Sequence, residues 1–231
     1  MADRPWPPSL RFASILFEPV STSRSGGQSF TGAEQVIVSP TARWKASVTI
    51  PIADRRYGPI ERQNMVLAYR WVKAGGRASV IIVPHQDGRG PAHQAGIVPC
   101  SGAVPHSDGA TFSDGSGYAQ SFTGATLAAP AALNATQISL NVPAGLAPLP
   151  GMRFSTPDNR LHQIDDLLGF DGGSTWTVRI GPWLRAVYPV GTVMDFDNPR
   201  CRMRLASDDT GQLSLSLNKF GTPSIEFNEA P

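Results

Sequence analysis

Arg43-Trp-Lys-Ala-Ser-Val-Thr-Ile-Pro-Ile52 decides how this chain folds. Trp44, Ala46, Val48, Ile50 and Ile52 fall on one face, and Lys45, Ser47 and Thr49 on the other. A period of two marks a strand with one face in a core. Downstream, Pro59 suits a first helical position, where its missing N–H would have no intrahelical partner. Glu61 lies near the positive end of the helix dipole and Lys73 near the negative end. Leu67 with Trp71, and Ala68 with Val72, are four apart and share faces. Gly75-Gly76 supplies a left-handed stop. The spacing predicts a helix over 59–74, with Trp71 as well as Trp44 packed inward. Ala78-Ser-Val-Ile-Ile-Val-Pro84 is short, apolar and β-branched, and reads as a buried strand. No other stretch has a helical pattern, so one helix lies against β-structure.

Composition agrees with a many-turned β protein. The 23 glycines and 21 prolines are spread throughout, as turns in an all-β chain require. Hydrophobic residues make up 41%, enough for a core, and 231 residues suit one large β-domain or two small ones. Charged residues are only 16%, below the usual quarter or so. The surface is therefore neutral and polar, or covered by other protein. A net charge of +2 without a Lys/Arg block gives no basic face for nucleic acid. No apolar run reaches the roughly 18 residues of a membrane span. The first residues lack the apolar core of a signal peptide, so a cytoplasmic place of folding is expected. Cys100 and Cys201 make no disulfide framework and read as two ordinary thiols.

Outward from the central unit, residues 1–8 read as an extended arm and Leu10–Val20 as a strand region. Ser21–Gly32 is polar and glycine-bearing, with two readings: a flexible hairpin tip, or a loop that orders against a neighbouring subunit. The region 85–121 is rich in Gly, Ser, Asp and His and reads as a long linker or loop. Alternation returns at Gln137–Val142, then near Met152–Phe154, Leu161–Ile164, Trp176–Ile180 and Val193–Phe196, with turn residues between. That spacing predicts a small barrel or sandwich, with Trp176 in its core. Arg202–Leu205, Leu213–Leu217 and Ser224–Phe227 read as three further strands, the last of them returning to the first sheet. The expected organisation is a β-sandwich domain carrying the helix, 1–99 with 200–231, and an inserted β-barrel-like domain, 100–199. Gln-Ser-Phe-Thr-Gly occurs at 28–32 and 120–124 with different flanks, and implies no duplication.

Reactive constellations are missing from the pattern. There is no Gly-x-Ser-x-Gly elbow and no phosphate loop. His85, His93 and His106 with Cys100 have no metal-ligand spacing, and these histidines read as solvated loop residues; His162 lies in the strand candidate Leu161–Ile164. Asp108 and Asp114 fit turns better than a calcium loop. The pairs Asp165-Asp166 and Asp208-Asp209 point to opposite faces of a strand, which does not suit joint acid/base work. No enzyme activity, metal or cofactor is expected. Trp183, in Gly181-Pro-Trp-Leu-Arg185, is the best candidate for an exposed aromatic. It either packs at an interface or caps a barrel end, with Arg185 free to pair with a carboxylate across a contact.

Gly151-Met-Arg-Phe-Ser, Arg160-Leu-His-Gln-Ile164, Thr177-Val-Arg-Ile-Gly-Pro-Trp-Leu-Arg185, Gly191-Thr-Val-Met-Asp-Phe196 and Cys201-Arg-Met-Arg-Leu205 together resemble a segment of tail proteins of long-tailed bacteriophages and prophages. Ser25-Gly-Gly-Gln-Ser-Phe-Thr-Gly-Ala-Glu-Gln35 and Arg43-Trp44 resemble the same proteins, so the likeness covers most of the chain. The nearest role is the distal tail protein, a structural adaptor joining tail tube to hub. The resemblance implies a ring-forming β-sandwich with one helix, an outward-facing small barrel, and a hexameric ring of copies. It implies the tube and hub proteins as partners and the virion tail tip as the location. The long Gly-rich middle departs from the family's pattern. Arg24, Gln28, Phe30, Trp183 and Arg185 are the candidate interface residues. Other readings are a module that binds a carbohydrate or receptor on the host surface, a tail-tube subunit, and, with least support, a cell-wall hydrolase.

Overall fold

A computed structural model of the chain describes residues 3–28, 30–52, 57–86, 89–96, 107–113, 123–216 and 220–230. The protein is mostly β with one sizeable helix. It divides into unit 1, residues 1–85 with 201–231, and unit 2, residues 86–200. The sequence reading set these divisions at 99/100 and 199/200.

Unit 1 holds one six-stranded sheet. Its strands are β1 (Arg4–Pro5), β2 (Ser14–Gln28), β3 (Glu34–Thr49), β4 (Ile81–Pro84), β10 (Arg200–Leu205) and β11 (Ser224–Glu229). Their order across the sheet is β1-β4-β10-β11-β3-β2. Register sorts the side chains. Phe17, Ala46, Phe227 and Leu205 stand in one row, and Ile15, Val48 and Ile225 in the next. This is the core face, where Trp44, Val48 and Ile50 have no exposed surface. The opposite rows, Leu16-Ser47-Glu226 and Glu18-Lys45-Asn228-Arg204, carry mainly polar groups. One covered face and one wet face is the ordinary state of an antiparallel sheet. Where a sandwich would set a second sheet, helix α1 (Pro59–Lys73) supplies the other layer with Met65, Tyr69 and Val72.

Helix α1 starts as its sequence dictates. Pro59 is at the first turn, and the Glu61 carboxylate accepts the Gly58 N–H at 3.1 Å, satisfying one of the donors a helix start leaves open. Gly75 follows the end with φ +95°. Arg4 donates to the carbonyls of Trp71 and Ala74, so the expected N-terminal arm closes the helix C-terminus instead of trailing. Asp3 adds an ion pair to Arg202 at 2.6 Å. The outward side of the helix corrects the sequence reading. Ile60, Leu67 and Trp71 are 75%, 51% and 40% exposed. Spacing of four shows which residues share a face, but not which face goes inward, and Met65-Tyr69-Val72 took that place.

The Leu213–Leu217 alternation does not make a strand across its described part. Leu213 and Leu215 are half-buried beside α1, and the regular pairing here is a bridge from Ser216 to Phe220. Gly211 fixes this segment. Its carbonyl accepts from Tyr69 Oη at 2.5 Å and Lys73 Nζ at 3.1 Å. Burial raises the Tyr69 hydroxyl to about 12, so it remains a donor at any working pH. A Cβ at Gly211, where φ is +66°, would stand 2.6 Å from both Ile225 Cγ1 and Tyr69 Oη. Gly211→Ala is expected to cost about 2–4 kcal/mol, from the left-handed backbone together with overpacking. Tyr69→Phe should cost only about 1 kcal/mol, because Lys73 still serves the carbonyl. Urea midpoints of the two variants check the ranking.

Unit 2 is built on a five-stranded sheet. Its strands are β5 (Thr126–Leu127), β6 (Gln137–Asn141), β7 (Arg153–Ser155), β8 (Leu161–Phe170) and β9 (Thr175–Gly181), in the order β5-β6-β9-β8-β7. The expected strand at Val193–Phe196 is a run of single bridges that does other work. Thr126 pairs with Val193 at one edge of the sheet, and Ser155 with Asp195 at the other. The segment 192–195 therefore ties the two edges of a half-barrel together. Leu127, Leu140, Phe154, Ile164, Val178, Leu184 and Phe196 fill it, with the Phe154 and Phe196 rings 5.0 Å apart. Ahead of this sheet, α2 (Pro91–Gln94) is a single turn of helix.

Candidate functional site

The most unusual feature of unit 1 is the length of β2 and β3 relative to the sheet. They pair from Ser14↔Thr49 out to Gln28↔Glu34, with register shifts after Val20 and after Ser25. Strand β11 accompanies β3 only over Lys45–Thr49. Beyond Val20 and Arg43 the two strands run as a ribbon without a third among the described residues. From Val20 to Gln28 the ribbon advances at most roughly 27 Å at about 3.4 Å per residue. Irregularities of this kind bend and twist a strand pair. A lone two-stranded hairpin is at best marginal in water, so this ribbon is a structure that gains from an additional surface.

Its side chains carry apolar groups outward. Val36 is 52% exposed, Val20 is exposed as well, and Phe30 at the tip stands fully in solvent. Gly27 and Gly32 take φ of +86° and +79°, which makes the close turn between the strands accessible to this sequence. The outer edge of β2 is also the edge of the whole sheet. A long strand with an open row of N–H and C=O groups invites pairing with another chain.

The five sequence-predicted residues divide between the units. Arg24 lies on β2 opposite Ile37, and Gln28 closes the ladder opposite Glu34 with its side chain exposed. Phe30 caps the ribbon. Trp183 and Arg185 belong to unit 2 and are half-buried, with Pro182 and Leu184 buried between and beside them. The reading of Ser21–Gly32 as a loop is corrected in part. Residues 21–28 are strand, and the turn proper begins after them.

Several groups lie elsewhere than expected. His85 is buried, not solvated, and its ring packs 4.8 Å from that of Phe17; His162, on the expected strand at Leu161–Ile164, is buried as well. His93 is exposed. His106, Cys100 and Asp114 lie outside the described residues. Cys201 is buried in unit 1. Asp108 accepts the Ala110 N–H at 2.9 Å, a turn bond. Asp165 occupies the irregularity in β8 between Ile164 and Asp166, where burial raises its carboxyl above the usual range. Asp208 accepts the Arg77 N–H at 2.9 Å. Among the described residues no group of three or more His, Cys, Asp or Glu is placed to hold a metal ion. No helix among them is long and apolar enough to cross a membrane.

Sequence reasoning missed two surfaces. One is the outward stripe of α1, where the Arg4 guanidinium stands 5.2 Å over the Trp71 ring. The other is at the end of the β8–β9 hairpin. There the rings of Phe170 and Trp176 stack 4.2 Å apart, and Phe170 is half exposed. The turn is held by Asp171, which accepts N–H groups of Gly173 at 2.8 Å and Thr175 at 3.0 Å. The alternation in Trp176–Ile180 pointed Trp176 at the core, and the residue is partly buried against it. The pairing Phe170↔Trp176 across the hairpin was the signal for the rest. No protein-family model matches this chain, and no curated protein sequence matches it.

Proposed function

We propose that this chain is a structural subunit of a long-tailed bacteriophage tail tip: a distal tail adaptor that joins the tail tube to the hub. Unit 1 assembles with copies of itself into a ring, a hexamer if it follows the family it resembles. Unit 2 is carried as an accessory module. The observation that supports this reading is the edge strand β2 with its protruding ribbon, which meets no third strand among the described residues of a single chain. A head-to-tail ring satisfies such an edge in every copy, because each subunit gives one surface and receives another. The open, polar face of the sheet needs no cover in that arrangement, and the role needs no reacting group. The protein is made in the host cytoplasm and resides in the virion. Gold-labelled antibody against the chain should decorate the distal end of the tail tube in assembled particles. Particles that lack the chain would overturn the assignment.

A second reading rests on the Phe170–Trp176 stack. Exposed stacked aromatics suit the apolar face of a sugar, so unit 2 is also a candidate for contact with a host surface glycan. Phe170→Ala should abolish glycan capture and leave the assembled mass unchanged if this holds. Trp183→Ala separates the alternatives from the other side: loss of assembly with intact capture makes Trp183 an interface residue.

A further inference from the structure

His162 stands on β8, 1% exposed, in unit 2. Its Nδ1 lies 2.8 Å from the Pro182 carbonyl oxygen. A carbonyl oxygen only accepts, so Nδ1 carries the proton and Nε2 keeps a bare lone pair. That Nε2 is buried and has no hydrogen-bond partner. One face of the ring meets Phe154, at 5.6 Å between centroids.

The charged groups around the ring are Arg185, Asp158 and Arg160. Arg185 comes from the segment after β9, and Asp158 and Arg160 from the turn between β7 and β8. The one carboxylate is already engaged. Asp158 Oδ1 accepts from Tyr188 Oη at 2.6 Å and Thr156 Oγ1 at 2.5 Å, and Oδ2 is 3.7 Å from Arg160 Nε. A second proton on His162 would put an imidazolium in a dry site with two guanidinium groups and one shared carboxylate. Burial and repulsion both oppose it.

The same bonds join two pieces of backbone. Leu184 and Tyr188 are paired by backbone with Ala135, Asn134 and Ala131, so the 182–188 segment belongs to that side of the half-barrel. Across the seam, toward the β7–β8 turn, run the His162–Pro182 and Tyr188–Asp158 bonds. We propose that His162 is an acid-released clasp: uptake of a proton from solvent at Nε2 parts the β7–β8 turn from the 182–188 segment and frees the stretch that carries Trp183 and Arg185.

The direction of the pH response follows from linkage. The closed clasp holds the imidazole at about 4, against an ordinary 6.5, with burial as the main cause. The open form therefore binds more protons between these values. Closure is at full strength above pH 6.5, weakens as pH falls, and loses no more below pH 4. Over that window the open-to-closed ratio rises on the order of a hundredfold. The device belongs to unit 2 and stands whether or not unit 1 forms a ring.

Two measurements test it. Side-chain nitrogen NMR of the full chain should show His162 as the Nδ1–H tautomer at pH 7.5, still neutral at pH 5. A proton on Nε2, or titration near 6.5, overturns the proposal. Hydrogen exchange of peptides covering 156–160 and 182–188, corrected for intrinsic rates, should rise on the order of a hundredfold between pH 6.5 and 4. His162→Asn keeps a donor toward Pro182 without a titrating group, and its profile should be flat. An acid response equal to that of the native protein refutes the clasp, and if the variant does not fold the NMR titration decides.

Discussion

Replacing residues 21–42 by Asn-Gly should convert an assembling protein into a single chain. The cut falls at the Val20↔Arg43 pair, and Asn-Gly closes a two-residue hairpin there with the twist its strands need. The fold should tolerate the loss. Trp44, Ala46, Val48 and Phe17 remain, and they hold the core face of the sheet; the removed strands pair with each other and, among the described strands, with no third. What is lost is the strand edge and the exposed Val36 and Phe30. Apolar anchors of this kind carry most of an interface's energy, about 2 kcal/mol or more each when central. Self-association should weaken by at least a hundredfold, read by sedimentation over a concentration series, while the thermal midpoint of the monomeric fold stays within a few degrees. Phe30→Asp with Val36→Asp, which keeps the ribbon, should give the same result in weaker form. Assembly that survives both variants removes the ribbon from the interface.

The largest effect on stability belongs to Trp44. Its side chain has no exposed surface, its backbone N–H donates to Glu229 Oε2 at 3.1 Å, and its ring meets Phe17 edge-on at 6.5 Å. The residue stands immediately before the part of β3 that is paired on both sides, Lys45–Thr49. Trp44→Ala removes more buried volume than the neighbours can refill, at a cost of about 3–5 kcal/mol. That is a large share of the roughly 5–15 kcal/mol that holds an ordinary domain together. Denaturant titration should show a lowered midpoint, and exchange of the β3 and β11 amides should accelerate together. A loss below about 1 kcal/mol would mean the strand is not the centre of the unit 1 core.

Trp44 also shows what could be read without coordinates. A strand with one face in the core writes that fact as alternation, and Arg43–Ile52 does so. Helix α1 was legible for a different reason: Pro59, Glu61 and the Gly75-Gly76 stop are local devices whose meaning does not depend on the rest of the fold. Residues 21–28 were not legible as strand, because Ser21–Gln28 contains no apolar residue and so has no alternation to display. Leu67 and Trp71 misled because helical spacing leaves the choice of inward face to the partner layer. Leu213 and Leu215 alternate as a strand would, yet they flank α1 in a segment with little ladder of its own. The half-barrel closure at 192–195 depends on single residues meeting distant edges, information that is tertiary. His162 is the sharpest case. A histidine between Leu161 and Gln163 carries no mark of burial, and its partner is a carbonyl that any residue could present. The ribbon was therefore reachable from sequence only in part, through Phe30 as a residue too apolar for an open loop.

The account stands or falls on whether copies of unit 1 satisfy each other's open edge. Native mass spectrometry of the purified chain, over a hundredfold range of concentration, measures this directly. The account predicts a closed species of fixed copy number, six if the resemblance extends so far, that persists on dilution and vanishes when the ribbon is removed. A strict monomer at the highest concentration, with no ring by negative stain, would contradict it.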